Sequence, residues 1–210
     1  MAEPASVEPA RLILLRHGRT AWNAADRAQG HVDVDLDEVG QQQAEAVAGV
    51  LAKLSPSRLW TSDLIRARRT AGFLEEATGL VAVPDPRLRE YALGVRSGLT
   101  RSEFAAAHPM EYAAWIAGSP DPLVAGEEPT TAVAVRMATV LAELLAVLEP
   151  GQTGIAVSHG ACLKVGIPAL LGWSSSAARA IAGMDNCGWA VIDQSSVHPG
   201  PRLTAYNRTC

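Results

Sequence analysis

Lysine is nearly missing from this chain. Only Lys53 and Lys164 occur, and the remaining cations are all arginine. The formal net charge is −4 and the pI about 5.7, which argues against broad affinity for nucleic acid. Arginine favours planar, two-point capture of carboxylate or phosphate, although composition bias in an alanine- and arginine-rich chain explains most of these residues. Cysteine is also scarce: Cys162, Cys187 and Cys210 are odd in number, widely spaced and without a CxxC pair. That argues against a disulfide framework or a zinc site. No Cys-x5-Arg phosphatase loop exists, because Pro168 and Asp193 stand where the arginine belongs. There is no HExxH and no GxxxxGK[ST] phosphate loop, and His31, His108 and His198 are scattered. No uninterrupted apolar run is long enough to cross a membrane. The tail MAEPASVEPA has no basic segment followed by an apolar core, so it does not read as a signal peptide. These absences lead to a soluble, reducing, cytoplasmic protein without a cofactor or metal.

What is present suits one domain over residues 11–210 behind a loose tail, 1–10. Leu12–Leu15 reads as a short buried strand, followed by a loop through Gly30. Apolar spacing predicts a helix near 37–54. SRLWT, 57–61, reads as a strand, and Ser62 is placed to cap a helix that stops at Gly79, with Asp63 in its first turn. Val81–Val83 is a third strand candidate. Residues 91–129 carry helical EFAAAHPMEYAAWIA and a loop, and read as an insertion over the sheet edge. An apolar helix over 130–149 and a buried strand GIAVS, 154–158, come next. ACLKVGIPALLG is helical, bent or started by Pro168; WAVID and RLTAYN close the chain as strands linked through SSVHPGP. Strands alternating with helices predict a three-layer α/β sandwich with a mainly parallel central sheet.

One local echo carries the functional reading. LILLRHG and GIAVSHG are each an apolar strand, a polar residue and then His-Gly. Ligands of open α/β sheets sit outside the carboxyl ends of strands, where both His17 and His159 are expected. Arg16 lies beside the first, and Arg66 follows the SRLWT strand closely enough to reach the same rim. Two arginines, two histidines and nearby N–H groups make a compact anion site, with glycines that allow close backbone approach. A loop histidine without a role is the commoner case; two copies at equivalent places weaken that alternative. Arg66 by spacing alone is equally a solvated helix residue beside Arg68 and Arg69.

The chemistry follows from charge. A phosphate monoester dianion repels anionic nucleophiles but not a neutral imidazole. Paired arginines neutralise its oxygens, each charge-assisted hydrogen bond contributing roughly 1.5–3 kcal/mol, and tighten on the spread charge of the transition state. One histidine attacks phosphorus while the other remains a donor. A carboxylic acid then protonates the leaving alkoxide and later activates water.

Five stretches extend the pattern: LRHGRTAWN, QGHVDVDLDEVGQQQA (29–44), TSDLIRARRTA (61–71), RLRE (87–90) and VSHG (157–160). In this order they resemble the histidine phosphatase superfamily, in its phosphoglycerate-mutase-like branch, and they cover most of the chain from residue 11. The resemblance implies a phosphoglycerate-mutase-like fold and a metal-independent phosphatase acting on a small phosphorylated metabolite. It makes His17 the nucleophile that becomes phosphohistidine. Arg16, Arg66 and His159 hold the phosphoryl oxygens, and Glu90 is the proton donor and then the base. Asn23 and Thr20 line or support the pocket, and Gln29 and Gly30 form its near wall. From the residues alone, Glu90 is as readily a surface ion pair with Arg87 or Arg89, and Asn23 and Gln29 are as readily turn residues.

The departures from the family pattern concern the substrate mouth. Val95, Arg96 and Ser97 stand where a tryptophan and a small polar or acidic residue are common. Arg96 or Arg101 is a candidate for reading a second anionic group, Glu127 for bordering the site, and Asn186 for approaching the pocket. GMDNCGW, 183–189, is similar to the corresponding stretch of actinobacterial glucosyl-3-phosphoglycerate phosphatases. Tyr91-Ala92-Leu93-Gly94 after Glu90 lacks the basic pair of cofactor-dependent phosphoglycerate mutases, which favours hydrolase over isomerase. A non-catalytic phosphate-binding module ranks last, since every chemical group is present. An edge strand or the insertion offers a route to a homodimer.

Overall fold

The structure is a computed structural model and describes residues 8–119, 124–195 and 200–210. Six strands form one sheet: β1 (Ala10–Arg16), β2 (Arg58–Thr61), β3 (Val83–Pro84), β4 (Thr153–Ser158), β5 (Trp189–Gln194) and β6 (Arg202–Arg208). Their order is β3-β2-β4-β1-β5-β6. The pairs β2·β3, β2·β4 and β1·β4 are parallel, and β5 and β6 add antiparallel pairs at one side. Among the described residues eight α-helices accompany the sheet: α1 (Ala21–Ala24), α2 (Glu38–Leu51), α3 (Ile65–Thr78), α4 (Arg101–Ala107), α5 (Pro109–Ile116), α6 (Thr130–Ala146), α7 (Gly160–Leu170) and α8 (Ser175–Arg179).

The run Leu12–Leu15 is continuously apolar because both faces of β1 are covered. Leu12 and Leu14 pack with Met137 and Leu141 of α6 and Leu163 and Ile167 of α7. Ile13 and Leu15 turn the other way, onto Ala44, Val47 and Leu51 of α2 and Ala67, Ala71 and Leu74 of α3. Alternate residues of one strand therefore nucleate two cores, and the predicted three-layer sandwich results. Burial of side chains such as Leu12 and Ile13 contributes about 1.5–3 kcal/mol each, and both are fully buried.

The structure departs from the sequence reading at several elements. Ala10, placed in the tail, already belongs to β1, opposite Gln194 of β5; residues 1–7 lie outside the described residues. Ser62 does not cap α3. The N-cap is Leu64, without a side-chain bond, and the Ile65 N–H is taken at 2.9 Å by Asp33 Oδ1 from a separate segment. Asp63 pairs with Arg89 instead of serving the first turn. The third strand is only Val83–Pro84, with both residues exposed, since proline cannot donate to a ladder. Pro168 lies inside α7 and does not start it. The short α1 and α8 were not expected. Residues 120–123 and 196–199, which include His198, lie outside the described residues. Within 91–129, α4 and α5 supply the expected small helical insertion.

Candidate functional site

Register brings the two His-Gly motifs together. In the parallel pair β1·β4, Arg16 stands opposite Ser158, so the next residues, His17 and His159, leave the sheet side by side. Their ring centroids are 5.1 Å apart. On the other side of β4, Thr61 of β2 is opposite Val157. The chain then turns into α3, whose second residue is Arg66. Arg16, His17, Arg66 and His159 thus reach one rim because three parallel strands end level.

His17 is buried, and its Nδ1 lies 2.7 Å from the Gly18 carbonyl oxygen. A carbonyl only accepts, so Nδ1 carries the proton and Nε2 keeps its lone pair. Burial, with Arg66 and Arg16 adding to it, holds the imidazole pKa well below its ordinary value. The ring is neutral near pH 7, as a nucleophile toward a dianion must be. Gly18 itself is fixed by its N–H, which donates to Thr70 Oγ1 at 3.0 Å. A Cβ on Gly18 would stand 2.5 Å from the Gly40 carbonyl oxygen, so the turn tolerates only glycine.

Arg66 is 1% exposed despite its charge. Its Nη2 donates to Gly30 O at 2.7 Å, Nη1 to Val32 O at 2.9 Å, and Nε to His159 Nδ1 at 3.2 Å. A guanidinium has five N–H donors, so two remain for a ligand. Because His159 accepts at Nδ1, its Nε2 carries the proton and donates to Ser62 Oγ at 2.8 Å. The second histidine therefore points its donor at Ser62 and serves first as an orienting acceptor for Arg66. Burial, followed by Arg66, His17, Arg16 and His31, also holds its pKa well below the ordinary range.

Arg16 donates through Nη1 to Met184 O, and its buried Nε has no partner. Burial lowers its pKa, opposed by Glu90, Asp185 and Cys187. Gly160 makes room for it: a Cβ there would lie 3.1 Å from Arg16 Nε. An unpartnered buried N–H is costly, about 1–3 kcal/mol.

Glu90 closes the site. Its Oε1 accepts from Cys162 N at 2.8 Å and Tyr91 N at 2.9 Å, and its Oε2 from Ala161 N at 2.9 Å. The carboxylate is thereby anchored on the amino end of α7, within electrostatic reach of Arg16 and Arg66. The ion-pair alternative does not hold. Arg87 pairs with Asp85 and Glu143, and Arg89 with Asp63.

Of the supporting candidates, Thr20 is fully buried and caps α1, with Asn23 returning the bond. Asn23 Oδ1 accepts from Thr20 N at 3.1 Å, Thr20 Oγ1 at 3.2 Å and Asn186 Nδ2 at 3.2 Å. Asn186 also donates to His17 O at 3.1 Å, so it braces the His17 backbone. Gly30 offers its carbonyl to Arg66, and Gln29 is buried with its Oε1 unpartnered. Arg96 is not free to read an anion: it pairs with Glu127 at 2.5 Å and lies 4.9 Å over the rings of both Phe104 and Trp115. Glu127 accordingly serves the insertion. Arg101 lies 3.8 Å from Asp26 and 5.7 Å over Trp115.

Three residues escaped the sequence reading. Ser62 sets the His159 tautomer, Thr70 holds Gly18, and His31 donates through Nε2 to Glu90 O at 2.8 Å. Only Thr70 had a signal, standing four residues after Arg66 on one helix face.

Residues 12–209 match the family model described as "Histidine phosphatase superfamily (branch 1)". The chain is 39% identical to glucosyl-3-phosphoglycerate phosphatase of Mycobacterium tuberculosis over 192 residues, covering 87% of this chain and 84% of the relative. It is 35% identical over 183 residues to a probable phosphoglycerate mutase of Erwinia tasmaniensis, with 87% and 84% covered. Among solved structures, mycobacterial glucosyl-3-phosphoglycerate phosphatase in complex with VO3 superimposes with a TM-score of 0.84 at 36% identity, over 95% of this chain and 99% of that one.

Proposed function

Since this chain belongs to branch 1 of the histidine phosphatase superfamily and is a hydrolase of phosphomonoesters, we propose that it acts on a small sugar phosphate through a phosphohistidine on His17. The observation that carries this reading is the neutral, buried His17, whose Nδ1 is held by Gly18 O so that Nε2 is free. Arg16 and the two unused donors of Arg66 bind the phosphoryl oxygens. His17 Nε2 attacks phosphorus, and the ester P–O bond breaks. Glu90, as the carboxylic acid, gives its proton to the leaving alkoxide; as carboxylate it then takes a proton from the water that releases inorganic phosphate. His159 holds Arg66 in register and is oriented by Ser62. Asn23, Gln29 and Gly30 border the pocket, Thr20 supports it, and Asn186 braces its floor. No metal or cofactor enters the scheme.

The relatives favour glucosyl-3-phosphoglycerate as the substrate. The isomerase reading draws on the mutase-named relative, but the segment after Glu90 lacks the basic pair that a mutase carries. One comparison separates them: release of inorganic phosphate from glucosyl-3-phosphoglycerate against interconversion of 2- and 3-phosphoglycerate. Phosphate release with no interconversion is expected. Efficient interconversion without release would overturn the hydrolase assignment.

A further inference from the structure

Four consecutive carbonyls run up to and include that of Glu90, and side chains take all of them. Residues 89–92 belong to neither strand nor helix, so no ladder fixes the stretch that carries Glu90. Leu88 O accepts from Ser158 Oγ at 2.8 Å. The other three turn toward Arg136 of α6. Its Nη1 donates to Arg87 O at 2.7 Å and to Arg89 O at 2.9 Å, and its Nη2 lies 3.5 Å from Glu90 O. The same guanidinium grips Glu128 at two points, Nε to Oε1 at 3.0 Å and Nη2 to Oε2 at 2.9 Å. Glu128 in turn ties down the far side of the segment. Its Oε2 accepts from Ala92 N at 3.3 Å, and its N–H donates to Ala92 O at 2.8 Å. A guanidinium has five N–H groups. Here each is directed at an acceptor of the protein, so Arg136 keeps none for a ligand.

The helix beneath Arg136 is fixed by the core, since Val133, Met137 and Val140 around it on α6 are fully buried. The carboxylate of Glu90 is held from the opposite side, on the N–H groups at the start of α7. Proton transfer to a leaving oxygen requires hydrogen-bond reach, about 2.6–3.2 Å, so the backbone behind the carboxyl must be held as well. We propose that Arg136 is a positioning residue for Glu90: by gathering the carbonyls of residues 87, 89 and 90 onto one guanidinium, tied back by Glu128, it fixes where the acid stands over the phosphate site. This inference rests on the reading of Glu90 as the proton donor.

Lysine cannot fill this place, because an ammonium has three donors and no planar fork. A second link joins the same segment to α6: the Arg87 side chain pairs with Glu143 at 2.7 Å. That pair is exposed and holds a side chain instead of the backbone, and exposed pairs contribute little. Arg87 therefore serves as the control, one residue in the same segment whose side chain faces the same helix.

The test assays Arg136→Met, Arg136→Lys, Glu128→Gln and Arg87→Met on an alkyl and an aryl phosphate. In Arg136→Met, kcat on the alkyl phosphate should fall about 10- to 100-fold, the loss that a misplacement of about 1 Å causes, with KM little changed. The burst of phenol from the aryl phosphate should keep its rate, and inorganic phosphate its inhibition constant, because Arg16, His17 and Arg66 stay seated. Arg136→Lys should fall between wild type and Arg136→Met, and Arg87→Met should match wild type on both substrates. Added to Glu90→Gln, Arg136→Met should cost nothing further on the alkyl phosphate. Where Arg136→Met is too unstable to assay, Glu128→Gln decides: a selective alkyl loss supports the proposal, and its absence overturns it. Undiminished alkyl turnover in Arg136→Met, equal losses on both substrates, or a further alkyl loss on top of Glu90→Gln would each overturn the proposal and leave Glu90 as the acid. A Glu90→Gln enzyme without the alkyl-selective loss would overturn the acid assignment and this inference together.

Discussion

Nδ1 of His159 accepts from Arg66 at 3.2 Å, so the second histidine and the second arginine work as one unit. Nε2 of the same ring is tied to Ser62. An imidazole that gains a proton would lose its acceptor nitrogen and stand as a cation against Arg66. Burial and that guanidinium both oppose this. The four basic groups consequently carry two formal charges near neutral pH, enough to match a phosphate dianion without repelling one another into solution.

The first prediction concerns the nucleophile. His17→Ala removes the only nitrogen lone pair left free by the tautomer assignment. Turnover of an aryl phosphate should fall on the order of 10^4-fold or more, in line with the loss of a covalent nucleophile. Wild type given substrate and quenched in alkaline denaturant, where a phosphoramidate survives, should show a phosphoryl adduct that is missing in the variant. Near wild-type turnover in His17→Ala would remove this residue from the mechanism.

The second prediction is a pH effect on stability. His17 and His159 both have folded pKa values below the unfolded value. Between those limits the unfolded chain binds protons that the folded chain refuses, so stability falls as pH drops below about 6.5. Above that value these two groups add no slope. Thermal midpoints of wild type and His17→Asn, measured from pH 8 to 5, should diverge on the acid side, with the variant declining less. Parallel curves would mean that His17 is not held neutral by the fold.

The sequence made the sandwich legible because burial on both faces leaves an unmistakable mark: Leu12–Leu15 and Gly154–Val157 have no polar face to show. It made His17 and His159 legible through their matched strand ends. Arg66 and Glu90 are different. Nothing local separates Arg66 from Arg68, or Glu90 from Glu103; only the family resemblance singled them out, because their convergence depends on register across β2, β4 and α7. Ser62 shows the opposite error. Its local pattern is that of a cap, but Asp33 arrives from another segment to satisfy Ile65 and releases Ser62 to His159. Arg96 was a candidate anion reader by charge, and aromatic neighbours from α4 and α5 claim it instead.

The third prediction tests the acid. Glu90→Gln keeps one oxygen to accept from the N–H groups at the start of α7, so the variant should fold. It cannot protonate an alkoxide. Hydrolysis of an alkyl phosphate should drop about 10^2- to 10^4-fold, the usual contribution of general acid catalysis. An aryl phosphate, whose leaving group needs little protonation, should lose far less in its first step, read as a burst of phenol release. Equal losses on both substrates would point to a different acid.

The fourth prediction separates two glycines that follow the two histidines. Gly18→Ala places a methyl 2.5 Å from a backbone oxygen of Gly40. No side chain can swing aside there, so the cost is an overpacking penalty of about 1–3 kcal/mol and a displaced His17. Stability and turnover should fall together. Gly160→Ala instead meets Arg16, at 3.1 Å from Nε and 3.3 Å from Cδ. A side chain can move, so the fold should tolerate the change while Arg16 shifts off the anion. Inhibition by inorganic phosphate should then weaken about tenfold, the loss of roughly one hydrogen bond to a charged group, with a thermal midpoint close to wild type. An unchanged phosphate inhibition constant in Gly160→Ala, with Arg16 displaced, would exclude this arginine from phosphate binding.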